Sequence, residues 1–231
     1  MDSPVLIMDF EMAAMNAIRA EWGVDVLGCL FHFGDAIQRN RDKHGLRMAV
    51  KKKPAVRTFF RRLQVLPMLP EHLHALSGIL TPPQQPTVNE AEERSLAEFM
   101  AYMSRTWSPP NGQFTGLRNH SRNHGARTTN YVEGSHTRIH HAFGARTPTL
   151  REMIRHCKTE ITMAKSLIPS YFDGSLNSRY VRPDEQDRQA RVLQEMTNFR
   201  EVIAESDGVP TSRQCKSYLD NIARFLAADN I

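Results

Sequence analysis

An aspartate directly follows a short apolar segment near the start of the chain. The segment Val5–Met8 is apolar at every position, which is typical of a strand buried on both faces. Catalytic and ligand-binding groups gather at the carboxyl ends of strands in open α/β sheets. Asp9 is therefore a candidate catalytic or metal-binding carboxylate. The alternative is a carboxylate that only stabilises the N-terminus of the helix that follows.

A second group of polar side chains lies much later in the chain. If this part of the chain is helical, Asn130, Glu133, His136 and His140 are three or four residues apart and share one face. Such a stripe could bind a metal or move protons, and the alternative is an exposed polar face. Gly134 favours the functional interpretation, because glycine costs about 1 kcal/mol in a helix interior relative to alanine and indicates close packing or a nearby ligand.

A Cys-x-x-His pair, Cys29 and His32, follows a second apolar segment. A zinc site would need two further ligands. A single pair of this kind is more often structural, so both interpretations stay open at this point. The candidates for the missing zinc ligands are histidines further along the chain: His120, His124, His136 and His140.

The elements that must position these residues are one strand–helix–strand unit and a series of helices. The pattern predicts a parallel unit with a crossover helix, made of strand 5–8, helix 11–22 and strand 24–31. Thr87 and Glu90 predict a capping box for one later helix. Residues 108–125 are rich in Gly, Pro, Asn and Ser and predict a long loop. The expected helices are 32–44, 54–66, 70–80, 87–107, 129–143, 148–167, 184–205 and 212–227.

Basic residues are concentrated in one stretch. Residues 39–62 carry a net charge of +9 and residues 118–165 carry +6, whereas 84–104 and 184–207 carry −3 and −4. This segregation indicates a surface that faces a polyanion, with DNA the first candidate, and the alternative is a solvated basic helix face. The candidate DNA-binding residues are Arg39, Arg41, Lys43, Lys51, Lys52, Lys53, Arg57, Arg61 and Arg62.

Composition excludes several classes of protein. The 231 residues contain no apolar run long enough to span a membrane and no basic, apolar leader pattern, so we expect neither a membrane protein nor a secreted one. The 3 cysteines are odd in number and scattered, which favours a reducing compartment over a disulfide framework. The segment 51–57, Lys-Lys-Lys-Pro-Ala-Val-Arg, is similar to a nuclear import signal and predicts a nuclear location.

Three motifs in this order resemble the MULE (Mutator-like element) transposase domain. They are Asp9-Phe10-Glu11, then Gly28-Cys29-Leu30-Phe31-His32-Phe33, then Arg127-Thr128-Thr129-Asn130 with Glu133-Gly134-Ser135-His136. The Cys-x-x-His pair begins 20 residues after the acidic strand end, and a long helical insertion separates it from the Thr-Asn-x-x-Glu-Gly-x-His motif. The resemblance covers residues 5–167.

The resemblance implies a ribonuclease H-like fold in which three carboxylates hold two divalent ions. Asp9 corresponds to the second Asp of that family and Glu133 to the closing Glu, so both are implied catalytic residues and metal ligands. Oxygen ligands of this kind suit Mg²⁺ or Mn²⁺, which would clamp the attacking and leaving oxygens during DNA strand transfer. The implied supporting residues are Cys29, His32, Asn130 and His136.

We therefore expect an α/β fold, namely an incomplete ribonuclease H-like domain with two parallel strands, a large all-helical insertion and a helical C-terminal tail. The expected division places the partial transposase domain at 1–167, with the insertion at about 46–125, and the tail at 168–231. The sequence does not indicate a role for the tail.

The first catalytic Asp of the family lies on an earlier strand, whereas only 8 residues precede Asp9 here. We expect a fragment or remnant of a DNA transposase that is inactive alone. Mg²⁺ or Mn²⁺ is the implied cofactor of the intact family, and binding of either ion by this chain, with its incomplete set of carboxylates, stays open. DNA is the expected partner, and a separately encoded N-terminal half or self-association stays open. The alternative function is a non-catalytic nuclear DNA-binding or interaction module that uses the basic helical insertion.

Overall fold

The computed structural model describes residues 5–110, 112–144, 146–175 and 182–227, without the side chains of 130–136. The described residues are mostly helical, with one small parallel sheet, so the chain belongs to the α/β class. The chain divides into two compact units. The first unit joins Met1–Thr129 to Arg188–Ile231, and the second is Asn130–Asp187.

The sheet of the first unit pairs two parallel strands through a crossover helix, as the sequence predicts. Strand β1 (Val5–Met8), helix α1 (Met12–Trp22) and strand β2 (Asp25–Gly28) follow one another, and the pairing runs from Val5 opposite Asp25 to Met8 opposite Gly28. Helix α1 ends at Gly23, whose φ of 61° is left-handed. Met15 of α1, Val26 of β2 and Leu117 form a small buried cluster between the crossover helix, the sheet and the later loop.

Strand β2 is shorter than the predicted 24–31. It ends at Gly28 because the next helix begins at Leu30. Phe31, which the sequence assigns to the strand, is the second residue of that helix and is exposed. Cys29 is the N-cap of the helix.

Helices from both ends of the chain build the main core of the first unit. Facing side chains of five helices are buried together, among them Phe33, Phe60, Phe99, Phe199 and Tyr218. The bounds of the helices in this unit are α2 Leu30–Lys43, α3 Arg47–Lys52, α4 Pro54–Gln64, a 3₁₀ turn Leu66–Met68, α5 Leu73–Leu76, α6 Glu90–Thr106, α9 Pro183–Glu205 and α10 Ser212–Leu226. The first residues of α9 belong to the second unit.

Two helix predictions are wrong in detail. The predicted helix 70–80 is reduced to the single turn α5, because the chain turns at Gly78, whose φ of 63° is left-handed. The capping box of α6 uses Asn89 and Glu92 instead of the predicted pair two residues earlier. Asparagine is as good an N-cap as threonine, so the same sequence pattern occurs twice and only the second occurrence forms the cap.

The C-terminal helices divide differently from the predicted tail at 168–231. Helix α10 packs its apolar face on α4, and Tyr218 donates a hydrogen bond to the Met68 carbonyl oxygen at 3.0 Å. Arg62 of α4 donates two hydrogen bonds to Asp220 of α10, both of 2.7 Å. The residues after Arg188 therefore complete the core of the first unit.

The second unit contains two helices, α7 (Asn130–Phe143) and α8 (Leu150–Phe172). Thr149 caps α8 with a capping box to Glu152. No residue of α8 is buried, and apolar side chains such as Ile154, Ile161 and Ile168 are about half exposed. Within the described ranges no helix is both long and apolar enough to cross a membrane.

Candidate functional site

The parallel register brings Asp9 and Cys29 together at the carboxyl end of the sheet. Met8 is paired with Gly28, so the residues that follow them, Asp9 and Cys29, lie side by side. The Cys29 amide donates to the Met8 carbonyl oxygen at 2.7 Å, which extends the ladder by one more bond. The position that the sequence predicts for a functional carboxylate is thus next to the first residue of the Cys-x-x-His pair.

The histidine of the pair joins the same cluster. Because His32 lies in the first turn of α2, three residues after the N-cap Cys29, its ring is on the side of the helix that faces Asp9. Its Nδ1 is 2.8 Å from Asp9 Oδ1, which is ion-pair distance. One donor atom from each of the three side chains lies within 4.8 Å of the other two.

Burial is uneven across the cluster. The Cys29 side chain is fully buried, whereas the side chains of Asp9 and His32 retain 49% and 31% of their exposure. The cluster therefore has a closed side at the sulfur and an open side at the carboxylate and the imidazole. This arrangement leaves room for a further ligand from solvent.

Thr129 is a fourth member of the site, and sequence reasoning did not single it out. Its hydroxyl donates to Asp9 Oδ1 at 3.2 Å, and its backbone amide lies 3.4 Å from Cys29 Sγ as a hydrogen-bond donor. The signal that was available is its place in the Thr-Thr-Asn motif, directly before Asn130.

The long loop after α6 holds Thr129 in place by binding along the end of β2. The amide of Gly28 donates to the Leu117 carbonyl oxygen, and the amide of Leu30 donates to the Arg127 carbonyl oxygen at 2.8 Å. Between these two bonds, His120 Nε2 donates to the Gly28 carbonyl oxygen at 2.8 Å. The loop thus follows β2 as far as the site.

His120 is a structural residue and not a metal ligand. Its Nδ1 accepts from Asn123 Nδ2 at 3.1 Å, so both ring nitrogens have protein partners. Burial lowers the pKa of His120 from 6.5 to about 4, which keeps the ring neutral and suited to donate at one nitrogen and accept at the other. His124 contacts Arg200. Among the described residues, the donor group around Cys29 and His32 contains Asp9 and neither of these two histidines.

A buried polar network supports the loop from behind. Arg118 is 1% exposed, and its Nε donates to the Trp107 carbonyl oxygen at 2.8 Å. Its guanidinium also lies 3.4 Å from His74 Nδ1, while His74 Nε2 donates to the Leu69 carbonyl oxygen at 2.8 Å. Burial, with a smaller contribution from Arg118, lowers the pKa of His74 from 6.5 to about 4. Burial also lowers the pKa of Arg118, to about 10.

Gly28 is required because an aromatic ring lies directly on it. A Cβ at this position would be 2.1 Å from Phe10 Cε1. Phe10 packs edge-to-face against Trp107 and Phe114, with ring centroids 4.7 and 5.1 Å away, so its ring has little room to move. The glycine before the Cys-x-x-His pair therefore allows the residue after Asp9 to pack across the sheet.

The remaining motif residues lie on α7. The backbone of Asn130, Glu133 and His136 is helical, as predicted, and their side chains lie outside the described part of the structure. His140 lies in the last turn of the same helix. The resemblance implies Asp9 and Glu133 as ligands of the two-ion site. Of these two side chains, the structure describes only that of Asp9.

Two of the predicted DNA-binding residues pair with acidic residues of the first unit. Arg41 is buried, and its Nε donates to Asp42 Oδ1 at 2.7 Å. Lys53 forms an ion pair with Glu92, which joins the start of α4 to the start of α6. Both cations are therefore paired within the first unit.

Three further arginines of the basic stretch bind groups inside the first unit. Arg57 donates to two carbonyl oxygens of α3, at 3.2 and 2.6 Å. Arg61 donates to the Ala223 carbonyl oxygen at 3.3 Å, and Arg62 is the bidentate partner of Asp220. Much of the +9 charge therefore serves packing between helices.

Four predicted DNA-binding side chains remain on the surface. Arg39 pairs with Asp35 at 2.5 Å, an exposed pair of the kind that contributes little. Lys43, Lys51 and Lys52 are exposed, and within the described residues none of them forms an ion pair or a side-chain hydrogen bond. The surface available to a polyanion is thus smaller than the charge count predicts.

The donor atoms at the sheet end could hold a metal ion, but they fit Mg²⁺ and Mn²⁺ poorly. These ions prefer oxygen ligands, which Asp9 and Thr129 supply. Cys29 and His32 place sulfur and nitrogen in the same site. Sulfur and nitrogen ligands suit zinc and similar ions.

Comparison of the chain with protein-family models, with curated proteins and with solved structures found no match. The functional inference therefore depends on the chemistry of these side chains and on the motifs that contain them.

Proposed function

We propose that this chain is a DNA-binding part of a Mutator-like transposase domain that does not cleave DNA by itself. One observation carries the proposal. Residues from all three motifs of the resemblance meet at one place, since Asp9, the Cys29 and His32 pair, and Thr129 lie within contact distance of one another. Thr129 is 120 residues from Asp9 in the chain, so local sequence proximity does not explain the contact.

The arrangement of the sheet also supports the proposal. A ribonuclease H-like domain places a catalytic carboxylate at the carboxyl end of a parallel strand, and Asp9 occupies such a position after β1. The helices between the second and third motifs correspond to the helical insertion of the family. The finer assignment to a ribonuclease H-like fold is part of the proposal.

The catalytic part of the resemblance has weaker support. In the intact family, Mg²⁺ or Mn²⁺ would stabilise the attacking and leaving oxygens of the phosphodiester. The described donors around Asp9 include a thiol and an imidazole, which do not suit these ions. We therefore assign no cleavage step to this chain.

A nicking assay tests the absence of cleavage. Supercoiled plasmid is incubated with the protein and Mg²⁺ or Mn²⁺, and the products are compared with those of Asp9→Ala and Glu133→Ala variants. We expect no nicking above background from any of the three proteins. Nicking by the wild-type chain that both substitutions abolish would contradict the proposed inactivity and would assign catalysis to these carboxylates.

The DNA-binding part depends on the exposed lysines and is tested by salt dependence. Anisotropy of labelled duplex DNA is measured between about 50 and 200 mM salt, because each phosphate contact contributes about 0.9 to the slope of log K against log salt. If Lys51 and Lys52 each contact one phosphate, the double Lys→Glu variant lowers the affinity and reduces the slope by about 1.8.

A matched control has the same change of charge elsewhere. Lys158 and Lys165 are exposed on α8 of the second unit, and replacing both by Glu keeps the net charge equal to that of the first variant. We expect the control to reduce affinity less. Equal losses in the two variants would mean that binding follows net charge alone, and unchanged affinity in the first would refute the proposed surface.

A further inference from the structure

We propose that Asp9, Cys29 and His32 form a zinc site with an open fourth coordination position. Each of the three residues supplies a donor of a kind that zinc binds in proteins: a carboxylate oxygen, a thiolate sulfur and an imidazole nitrogen. Asp9 follows β1, Cys29 follows β2 and His32 is in the first turn of α2, and the three donor atoms lie within 4.8 Å of one another. The inference requires the folded end of the sheet and does not depend on the DNA-binding role.

The donor spacing is close to that of a bound zinc ion. Zinc–ligand bonds of about 2.0 to 2.3 Å in a tetrahedral site place the donor atoms about 3.3 to 3.6 Å apart. From the observed limit of 4.8 Å, the donor–donor distances need to change by at most about 1.5 Å to reach this spacing. Rotation of the half-exposed Asp9 and His32 side chains can supply such changes.

The contact between Asp9 and His32 already brings two of the three donor atoms together. Nδ1 of His32 lies 2.8 Å from Asp9 Oδ1, at ion-pair distance. The Cys29 sulfur lies within 4.8 Å of both atoms. A small separation of the carboxylate and the imidazole would let both atoms bind one ion beside the sulfur.

Backbone contacts hold the sulfur in place. The backbone amide of Thr129 lies 3.4 Å from Cys29 Sγ as a donor, and Cys29 is the N-cap of α2. The Thr129 hydroxyl donates to Asp9 Oδ1 and orients the carboxylate. Contacts of this kind around metal ligands fix their orientation and strengthen binding.

The open side of the cluster defines the fourth position. Because Cys29 is buried while Asp9 and His32 are partly exposed, a fourth ligand would approach from solvent. A zinc ion with three protein ligands and one water is the usual form of a site that can bind a further group. We therefore expect one exchangeable water on the ion.

Metal content and cobalt spectroscopy test the proposal with the full chain. We expect one zinc per chain by elemental analysis after purification and dialysis against zinc. Co²⁺ in the same site should give a thiolate-to-cobalt charge-transfer band and ligand-field bands typical of four-coordinate cobalt. Cys29→Ser and Asp9→Asn should each weaken zinc binding by more than about 100-fold, beyond the 10- to 100-fold cost typical of partners outside the ligand set.

Matched variants control for the residue types. Cys215 is a buried cysteine of α10 outside the cluster, and Asp25 is an exposed aspartate at the start of β2. Cys215→Ser and Asp25→Asn should leave both the stoichiometry and the cobalt spectrum unchanged. Circular dichroism shows whether each variant folds, and if Cys29→Ser does not fold, the partly exposed Asp9 decides through Asp9→Asn.

Three results would overturn the proposal. They are a folded wild-type chain that binds no stoichiometric zinc, a cobalt complex without the thiolate band, and zinc binding that Asp9→Asn leaves intact. Binding of Mg²⁺ at this cluster in preference to zinc would have the same consequence. None of these results would bear on DNA affinity, which is measured separately with the lysine variants.

Discussion

Mild acid should destabilise the first unit because two neutral histidines are buried in it. His74 accepts from Arg118 and donates to Leu69, and His120 accepts from Asn123 and donates to Gly28. Burial lowers the pKa of each from 6.5 to about 4. The unfolded chain therefore takes up these two protons at a higher pH than the folded chain does.

The sign and the size of the effect follow from proton linkage. A group whose folded pKa lies below its unfolded pKa contributes stability above the unfolded value, and that contribution is lost as the pH falls toward the folded value. With pKa values of 6.5 and about 4, each histidine loses about 2 kcal/mol between pH 7.5 and pH 5. Together they lower the free energy of unfolding by about 4 kcal/mol, a large share of the 5–15 kcal/mol typical of a folded protein.

Carboxyl groups contribute little in this range of pH. Glu92, for example, has a pKa lowered from 4.5, chiefly by its hydrogen bond from Lys53, so its contribution is lost at still lower pH. The interval from pH 7.5 to pH 5 therefore reports mainly on histidines.

Urea unfolding monitored by circular dichroism at several pH values measures the effect. His120→Asn should lose stability at pH 7.5, because the Gly28 carbonyl oxygen loses its donor, but should lose only about half as much as the wild type on acidification. The exposed His141 provides the control, and His141→Asn should keep the full pH dependence. A His120→Asn variant with the same pH dependence as the wild type would refute the assignment of His120 as a buried neutral group.

Three further predictions concern how substitutions in the first unit change its stability. Gly28→Ala should lower the free energy of unfolding by about 1–3 kcal/mol, since the new Cβ overlaps the confined Phe10 ring. Gly34→Ala should raise the free energy of unfolding by about 0.5–1 kcal/mol, because Gly34 is inside α2 and no atom lies within 4 Å of an added Cβ. Urea unfolding measures both variants, and a Gly28→Ala protein more stable than the Gly34→Ala protein would contradict this packing. A double-mutant cycle on Arg62 and Asp220 should give a coupling of about 0.5–1 kcal/mol, and zero coupling would mean that this partly exposed pair does not join α4 to α10.

The sequence predicts the local elements well because their signals are local. The apolar run before Asp9, the helix after it and the second apolar run are sufficient to predict the parallel unit that the structure contains. Errors arise where two patterns compete. The sequence does not single out the Asn89 cap, because Thr87 offers the same spacing to a glutamate two residues earlier.

The sequence identifies most residues of the site but does not predict how they are arranged in space. Asp9, Cys29 and His32 each carry a local signal, but their meeting depends on the strand register, which pairs Met8 with Gly28. Thr129 reaches the site only through the path of the long loop along β2, and no local pattern specifies that path. Contacts of this sequence separation depend on the tertiary fold.

The basic stretch illustrates the same limit for charges. A count of Lys and Arg over 39–62 treats every cation as available to a partner. The acids that neutralise some of them lie far away in the chain, such as Asp220, which is 158 residues from Arg62. The charge that remains for DNA is carried by a few exposed lysines at the end of α2 and on α3.

The zinc site and the DNA surface can be separated by crossing their variants. Asp9→Asn removes a proposed zinc ligand without altering the lysines, so it should abolish stoichiometric zinc and leave the salt dependence of DNA binding unchanged. Lys51→Glu with Lys52→Glu should have the opposite pattern, because neither lysine is part of the cluster at the sheet end. If Asp9→Asn weakened both zinc and DNA binding, the open position on the ion would be where a phosphate oxygen binds, and the two roles would belong to one site.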